Sequence, residues 1–423
     1  MSLIADLHIH SHYSRATSRQ LVPEYLDYWA RLKGVNVLGS GDISHPGWLA
    51  ELQNKLEPVT DGLYRLKPQF RWPDTDFPAP GDEPRFLLSG EISTIYKKAG
   101  QVRKVHSLVC LPHFSAAEKL QARLSRIGNL AADGRPILAL DAKDLLETCL
   151  GISEEIMFIP AHIWTPWFSV LGAKSGFTSL DECFEDLTPY LAAVEMGLSS
   201  NPPLNHACSF LDDFTLLANS DAHSPEKIGR NANILQASPN YRDIRKAIIS
   251  NDNSAVATIS FFPQVGKYFH AGHRTCAISM NPKQYLSCKG ICPACNKPLT
   301  PGVAGRIASL SDRVADEQPK SGTNWHTVIP LKEILAEILA VGPMSKKVDR
   351  AYHACLARWG TELSILLELP LDEIEDEYLR EAMKRMRCGE LHVNAGFDGQ
   401  YGSVRLFTTE EMAKRQTIRL FSD

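Results

Sequence analysis

A chain of 423 residues, 44% of them hydrophobic, has room for two or three domains with real cores. It contains no run of about eighteen apolar residues, so no helical membrane span is expected, and without a basic, apolar leader at its start a cytoplasmic protein is expected. The net charge of −4 argues weakly against a broadly basic nucleic-acid face. Lys97, Lys98, Arg103 and Lys104, and again Lys384, Arg385 and Arg387, are local basic patches, and bound cations would offset a carboxylate-rich site, so net charge leaves nucleic acid open as a partner.

The first element is the apolar run ending in "DLHIHSHYSRA". Alternate residues of a strand share a face, so His8, His10 and His12 project together, and neutral imidazole is the commonest protein metal ligand. A His-rich surface strand is the plainer alternative. Next, "VPEYLDYWARLKG" (22–34) has helical spacing. "GVNVLGSGD" (34–42), "FLLSGEIS" (86–93), "VHSLVCL" (105–111) and "IMFIPAHI" (156–163) read as strands. "DECFEDLTPYLA" (181–192) reads as a helix, and "AAVEMGL" (192–198) and "FTLLANSDAH" (214–223) as two further strands. Strands alternating with helices indicate an α/β architecture with a mainly parallel sheet, and a region of this size suits a barrel. Residues 1–262 are expected to form it, 263–310 a cysteine-bearing module, and 311–423 a helical C-terminal domain. "IPLKEILAEILAVG" and "DRAYHACLARWGTELSILLEL" give that last part its helical periodicity, and "GFDGQYGSVRLFT" closes it with a small hairpin.

Candidate ligands recur where these strands end: His8 and His10, Asp42, Glu91, His106, His162, and the D-x-H pair Asp221 and His223. In β/α barrels the carboxyl ends of the strands converge on one rim, so separate strands can build one polynuclear site. Any single histidine here is more often a core residue; this many at successive strand ends is hard to attribute to chance. Mixed His and carboxylate ligation suits Zn²⁺, Mn²⁺ or Fe, with Mg²⁺ a further candidate. Glu91 is nominated as the carboxylate bridging two ions, which would activate a water for phosphate-ester hydrolysis. No P-loop, G-x-G-x-x-G or G-x-S-x-G competes.

Six of the ten cysteines stand singly, as reduced core residues do. The other four lie between 276 and 295. His273-x2-Cys276 and Cys292-x2-Cys295 have the spacing of two knuckles around a structural zinc, with Cys288 or His270 as the alternative fourth ligand in place of His273. Reduced core cysteines are the plainer reading.

The motifs "DLHIHSHYSRAT", "GSGDISHPGWL", "SGEIS", "VHSLVCLP", "PAHIWTPWFS" and "NSDAHSPEKIGRNAN" occur in order across residues 1–240. Together they resemble the polymerase-and-histidinol-phosphatase (PHP) superfamily and, within it, the endonuclease Q family of DNA repair nucleases. That resemblance implies a distorted seven-stranded β/α barrel with two or three divalent metals (Zn, Mn or Mg) on its rim. It assigns His8, His10, Glu91 and Asp221 to the first, Glu91, His106 and His162 to the second, and His223 to a third. Many members carry Asp-His where this chain has Asp42-Ile43, and a further histidine at Ala16. His45 or His12 is the expected substitute, and Glu195 a reserve ligand or supporting group. The implied activity is nicking of DNA on the 5′ side of a deaminated base (uracil, hypoxanthine or xanthine) and of abasic sites. Candidate DNA contacts are Arg15, Trp164, Trp167, Phe168 and Lys174. The tail residues Gln416, Ile418, Leu420 and Phe421 resemble peptides that bind a sliding clamp, against the alternative of a terminal segment packing on its own domain. A phosphomonoesterase of the histidinol-phosphatase type has the same site chemistry, though the 160-odd residues beyond the barrel argue against a small substrate. A non-catalytic DNA-binding scaffold is the third reading, and the near-complete ligand set counts against it.

Overall fold

The structure, a computed structural model, describes residues 2–72, 77–313 and 324–413. Among them the architecture is mixed α/β around an eleven-stranded sheet. In chain order the strands are β1 (Ser2–Asp6), β2 (Val37–Gly39), β3 (Leu56–Thr60), β4 (Leu63–Leu66), β5 (Arg85–Lys98) and β6 (Gln101–Leu111). Then follow β7 (Ile137–Leu138), β8 (Met157–Pro160), β9 (Val194–Glu195), β10 (Leu216–Leu217), β11 (Ala232–Gln236) and β12 (Val256–Ser260). Later come β13 (Ala271–His273), β14 (Ile278–Met280), β15 (Asn324–Thr327), β16 (His392–Asn394) and β17 (Ser403–Arg405).

β1 is central. It runs parallel to β2, with Ala5 opposite Val37, and antiparallel to β11, with Ile4 opposite Ile234. β2 continues parallel to β5. The sheet is therefore mixed rather than mainly parallel as expected. Besides the antiparallel β11 there is a local cause: Ala99 (φ 50°) and Gly100 (φ 75°) make a two-residue turn, and so short a connection can only return the chain antiparallel. β5 and β6 consequently form one long ladder from Leu88–Leu111 to Lys98–Gln101, and β8 joins antiparallel to β6.

β9 and β10 pair only with each other, as a separate parallel ribbon. Continuous pairing around a closed barrel is not traced among the described residues. Buried side chains stand where ladder bonds would be. Asn219 Oδ1 accepts from the Leu7 N–H, Asn233 Oδ1 from Ala218 N–H, Asp6 Oδ1 from Ser220 N–H, and Glu195 Oε1 from His162 N–H. These bonds satisfy buried backbone donors while placing the ends of β1, β9 and β10 side by side.

The helix expected over 22–34 spans Pro23–Lys33, with proline in its first turn and Gly34 (φ 84°) at its C-terminus, as the asymmetry of helix ends favours. The helix expected over 181–192 stops at Phe184 and continues as a 3₁₀ segment through Tyr190. Pro189 has no N–H to give a helical bond and would crowd the carbonyl four residues earlier. Beyond 330 the chain is helical over Leu331–Leu339, Lys346–Trp359, Glu362–Leu367 and Glu377–Cys388. The terminal hairpin pairs β16 with β17, so its first strand begins earlier than the sequence reading placed it. The tail residues Gln416, Ile418, Leu420 and Phe421 lie outside the described residues.

The region beyond residue 310 is joined to the sheet by β15, which pairs parallel with β12, and by a buried charge cluster. Lys33 Nζ lies 2.6 Å from Glu362 Oε2, the Tyr352 hydroxyl donates to the same oxygen at 2.8 Å, and the Leu331 N–H donates to Glu362 Oε1 at 3.0 Å. Burial alone would raise the Glu362 carboxyl, but Lys33 and these donors hold it below its usual range.

Candidate active site

The first strand's end supplies two fully buried imidazoles, His8 and His10. His8 Nδ1 is tied to Glu195 Oε2 at 2.8 Å. Its Nε2, by contrast, has no hydrogen-bond partner among the described residues, although it points at Glu91 Oε2 (3.7 Å) and Asp221 Oδ1 (3.8 Å). His10 Nε2 lies 3.0 Å from Asp221 Oδ1 and 3.6 Å from Glu91 Oε2. On the other side of Glu91, His106 Nδ1 and His162 Nε2 both approach Oε1, at 2.6 and 2.9 Å, and lie 3.2 Å from each other. The His223 ring packs edge-on against His10, and its Nδ1–H donates to the Asp221 carbonyl.

Three overlapping sets of ligand atoms result, each within 4.8 Å: His8, His10 and Glu91; Glu91, His106 and His162; His10, Asp221 and His223. Glu91 belongs to two sets, one through each carboxylate oxygen. Three residues around this centre, Asp42 (φ 45°), His162 (φ 30°) and Asp221 (φ 47°), hold backbone conformations that L residues rarely adopt. Such strain persists where surrounding structure enforces it, and it gathers at functional sites.

The electrostatics follow from burial opposed by neighbours. Burial would neutralise Glu91, but His106, His8 and Arg135 hold its carboxyl well below the usual range. Asp221 is depressed in the same way by His10 and His8. Burial would likewise strip the proton from His10, yet hydrogen bonds to Asp221 and Asp42 carry it up to about 9. Burial dominates at His106 and takes it down to about 4. The carboxylates therefore remain anionic inside the protein, which requires positive charge beside them.

Asp42 and His45 do not join the ligand sets. Asp42 Oδ1 holds His10 Nδ1 at 3.1 Å, while its Oδ2 accepts from the Ser11 N–H, the Ser11 hydroxyl and the Ser14 hydroxyl at 2.6–2.8 Å. It orients His10 rather than facing the centre. His45 caps the helix Pro46–Lys55, its Nδ1 accepting from the Trp48 N–H, and its ring stacks on Tyr13. His12 reaches the Leu21 carbonyl and Glu51 instead. Glu195 is buried behind His8 and also accepts from Asn219 Nδ2 at 3.0 Å, so it supports the centre from below.

Sequence reasoning missed Arg135, whose Nη1 donates to Glu91 Oε2 at 3.0 Å, and Arg230, whose Nε–H donates to the Ser220 carbonyl beneath Asp221. Neither lies in a His-rich motif. The only available signal was an arginine inside the turn-forming "DGRP" and another within "KIGR". Among the candidate DNA contacts, Trp164 is buried, its indole N–H donating to Asn205 Oδ1, and so belongs to the core. Trp167 is exposed and meets Tyr268 edge-on, Lys174 and Arg15 are exposed, and Phe168 lies against His106.

Some way along the chain, His273, Cys276, Cys292 and Cys295 form a fourth group of converging ligand atoms. Backbone N–H groups of Ala294 and Cys295 lower the Cys292 thiol to about 7 against the effect of burial. Cys288 faces Met280 and the Tyr285 carbonyl, and His270 faces Ser279, so neither alternative stands in the group.

Fold and site together describe a mixed α/β protein with a shared-carboxylate histidine centre and a separate Cys₃His cluster. Comparison with known proteins points the same way. A family model for the MJ0043 C-terminal domain matches residues 330–390. The uncharacterized protein YqxK of Bacillus subtilis is 29% identical over 385 residues, covering 88% of this chain and 89% of that one. The uncharacterized protein MJ0043 of Methanocaldococcus jannaschii is 27% identical over 253 residues, 57% of this chain and 31% of its own length. Among solved structures, the lesion-specific endonuclease PfuEndoQ from Pyrococcus furiosus is similar over 98% of this chain and 97% of its own, with TM-score 0.83 and 29% identity. Endonuclease Q in complex with a 27-mer duplex substrate carrying an abasic lesion at the active site gives the same TM-score and identity, over 98% of each chain.

Proposed function

We propose that this protein is a metal-dependent endodeoxyribonuclease that hydrolyses the phosphodiester on the 5′ side of a deaminated base, or of an abasic site, leaving a 3′-hydroxyl and a 5′-phosphate. The observation that carries the reading is the convergence of His8, His10, Glu91, His106, His162, Asp221 and His223 in a chain that resembles a lesion-specific endonuclease over nearly its whole length. The donor set fits divalent ions. His8 Nε2 is a buried imidazole nitrogen with no partner among the described residues, and a buried polar atom left unpaired calls for a ligand. Zn²⁺, Mn²⁺ or Mg²⁺ held there would supply an activated water and charge neutralisation at the phosphate. The chain's own contribution is to keep Glu91 and Asp221 anionic, to fix His8 through Glu195 and His10 through Asp42, and to close the centre on its inner side.

His273, Cys276, Cys292 and Cys295 have the donor chemistry of a closed structural zinc site. In this reading, the module around them (263–310) and the helical region (311–423) flank the sheet domain (1–262) and hold the duplex. Arg15, Trp167 and Lys174 are the exposed residues nearest the centre's motifs for contact with DNA. Extrusion of the lesion costs least where pairing is already weak.

Strand cleavage of a labelled duplex carrying one deoxyuridine, deoxyinosine or abasic site, with Mg²⁺ or Mn²⁺ and with chelator, tests the proposal. A nick 5′ of the lesion that chelator abolishes supports it. An intact duplex beside rapid hydrolysis of a small phosphomonoester would overturn it in favour of a phosphatase.

A further inference from the structure

The segment Asp133–Pro136 enters the centre from the side and is bolted to both of its walls. Gly134 N–H donates to the Tyr13 carbonyl, and the Pro136 carbonyl accepts from Ser93 N–H on β5. Asp133 Oδ1 accepts from the backbone N–H of Arg15 and of Arg135, and its Oδ2 pairs with the Arg15 side chain at 3.3 Å. A Cβ at Gly134 would collide with the Asp42 carboxylate and the Ser14 hydroxyl, so this close approach requires glycine. The outcome is a guanidinium placed without freedom of backbone: Arg135 Nη1 meets Glu91 Oε2, while a quarter of the side chain remains open to solvent.

Glu91 is also the carboxylate that two of the three ligand sets share. A guanidinium and divalent ions compete for one carboxylate, because like charges a few ångströms apart repel. Arg135 beside occupied ligand sets is favoured by an anion standing between them. Resting on the nuclease reading above, we propose that Arg135 is a catalytic residue: it neutralises Glu91 in the empty centre, and in the loaded complex turns to the scissile phosphate. There it donates to the non-bridging oxygens, to whose planar geometry a guanidinium is matched. In hydrolysis the water oxygen forms the new P–O bond, the bond to the 3′ oxygen breaks, and that oxygen takes up a proton. Arg135 keeps its own proton throughout and stabilises the charge that builds on the phosphoryl oxygens.

The test uses full-length Arg135→Gln and Arg135→Lys proteins with three measurements: Mn²⁺ titration calorimetry without DNA, KM and single-turnover kcat on the lesion duplex, and the melting temperature. The expectation for Arg135→Gln is Mn²⁺ affinity equal to or above that of the parent, because a competitor for Glu91 is gone. Its kcat should fall roughly 10²–10³-fold with little change in KM, and Arg135→Lys should recover part of that loss. Lower Mn²⁺ affinity in a folded Arg135→Gln protein would make Arg135 a prop for Glu91 and overturn the proposal, as would an unchanged kcat. If the parent protein cleaves no phosphodiester at all, the nuclease reading fails instead, and the Mn²⁺ titration still reports on the competition at Glu91.

Discussion

The histidine centre and the cysteine cluster are both sets of converging donor atoms, yet the chain builds them in opposite ways. The cysteine cluster draws its four ligands from residues 273–295, on two short knuckles. The histidine centre collects its ligands from residues 8 to 223, some just after β1, β8 and β10 and others from within β5 and β6, and surrounds them with buried groups that set their direction: Asp42 on His10, Glu195 on His8, Arg135 on Glu91. A local cluster has little apolar core of its own, so a bound ion would be part of its folding free energy. A distributed centre sits on a core that is already complete, with Leu7, Ile9 and Ile159 fully buried around it. Its ions should therefore be removable without unfolding.

Asp221→Asn should break the comparison most sharply. Asparagine tolerates the left-handed backbone that residue 221 adopts (φ 47°), so the fold should persist while lesion cleavage falls by roughly 10³-fold or more, the scale of losing an essential group of a concerted site. A melting temperature lowered as much as the activity would mean the centre is structural. Cys292→Ser should do the reverse. One equivalent of zinc should disappear by elemental analysis, protease sensitivity should appear around 270–300, and the isolated sheet-domain signals should stay. A zinc content unchanged in that protein would dissolve the cluster as a metal site.

The supporting layer gives a smaller effect. Glu195→Gln keeps the volume but not the charge behind His8, and partners of this kind typically change metal affinity by about 10–100-fold. Weakened Mn²⁺ binding with an unchanged fold is the expected result. Unaltered binding would mean that Glu195 acts through its bonds to the His162 N–H and the Asn219 amide and not through its charge on His8.

How far these two regions were legible in the sequence follows from the same contrast. His8, His10, His162, Asp221 and His223 were visible because each follows an apolar strand run. Glu91 and His106 were expected at strand ends too, but they lie within the long β5 and β6, where alternate residues share a face. The cysteine spacing was visible because it is local. What was hidden is long-range. Asp42 and Glu195 look like ligands in sequence, since nothing in "GSGDIS" or "AAVEMG" reveals that each faces the back of a histidine. Arg135 lies 44 residues from Glu91 in the chain, on a loop whose docking depends on Gly134 fitting under Asp42. The mixed character of the sheet was hidden for both kinds of reason: the local turn at Ala99–Gly100 reverses a strand that the α/β pattern would have run parallel, and the distant β11 returns antiparallel beside β1.

His45 offers the finest cut between a ligand and a look-alike. By resemblance it stood as a substitute ligand for the Asp-His pair this chain lacks, but it caps the helix Pro46–Lys55 through the Trp48 N–H and lies on Tyr13. Loss of a helix cap costs about 1 kcal/mol, so His45→Ala should lower stability by roughly that amount in urea titration, and His45→Asn, which can still cap, should recover most of it. Metal content and lesion cleavage should be those of the parent in both. If instead one equivalent of metal disappeared from both proteins, the ring would have to leave its cap and turn toward His10 when ions bind. The centre would then be completed by motion rather than held ready by Asp42 and Glu195.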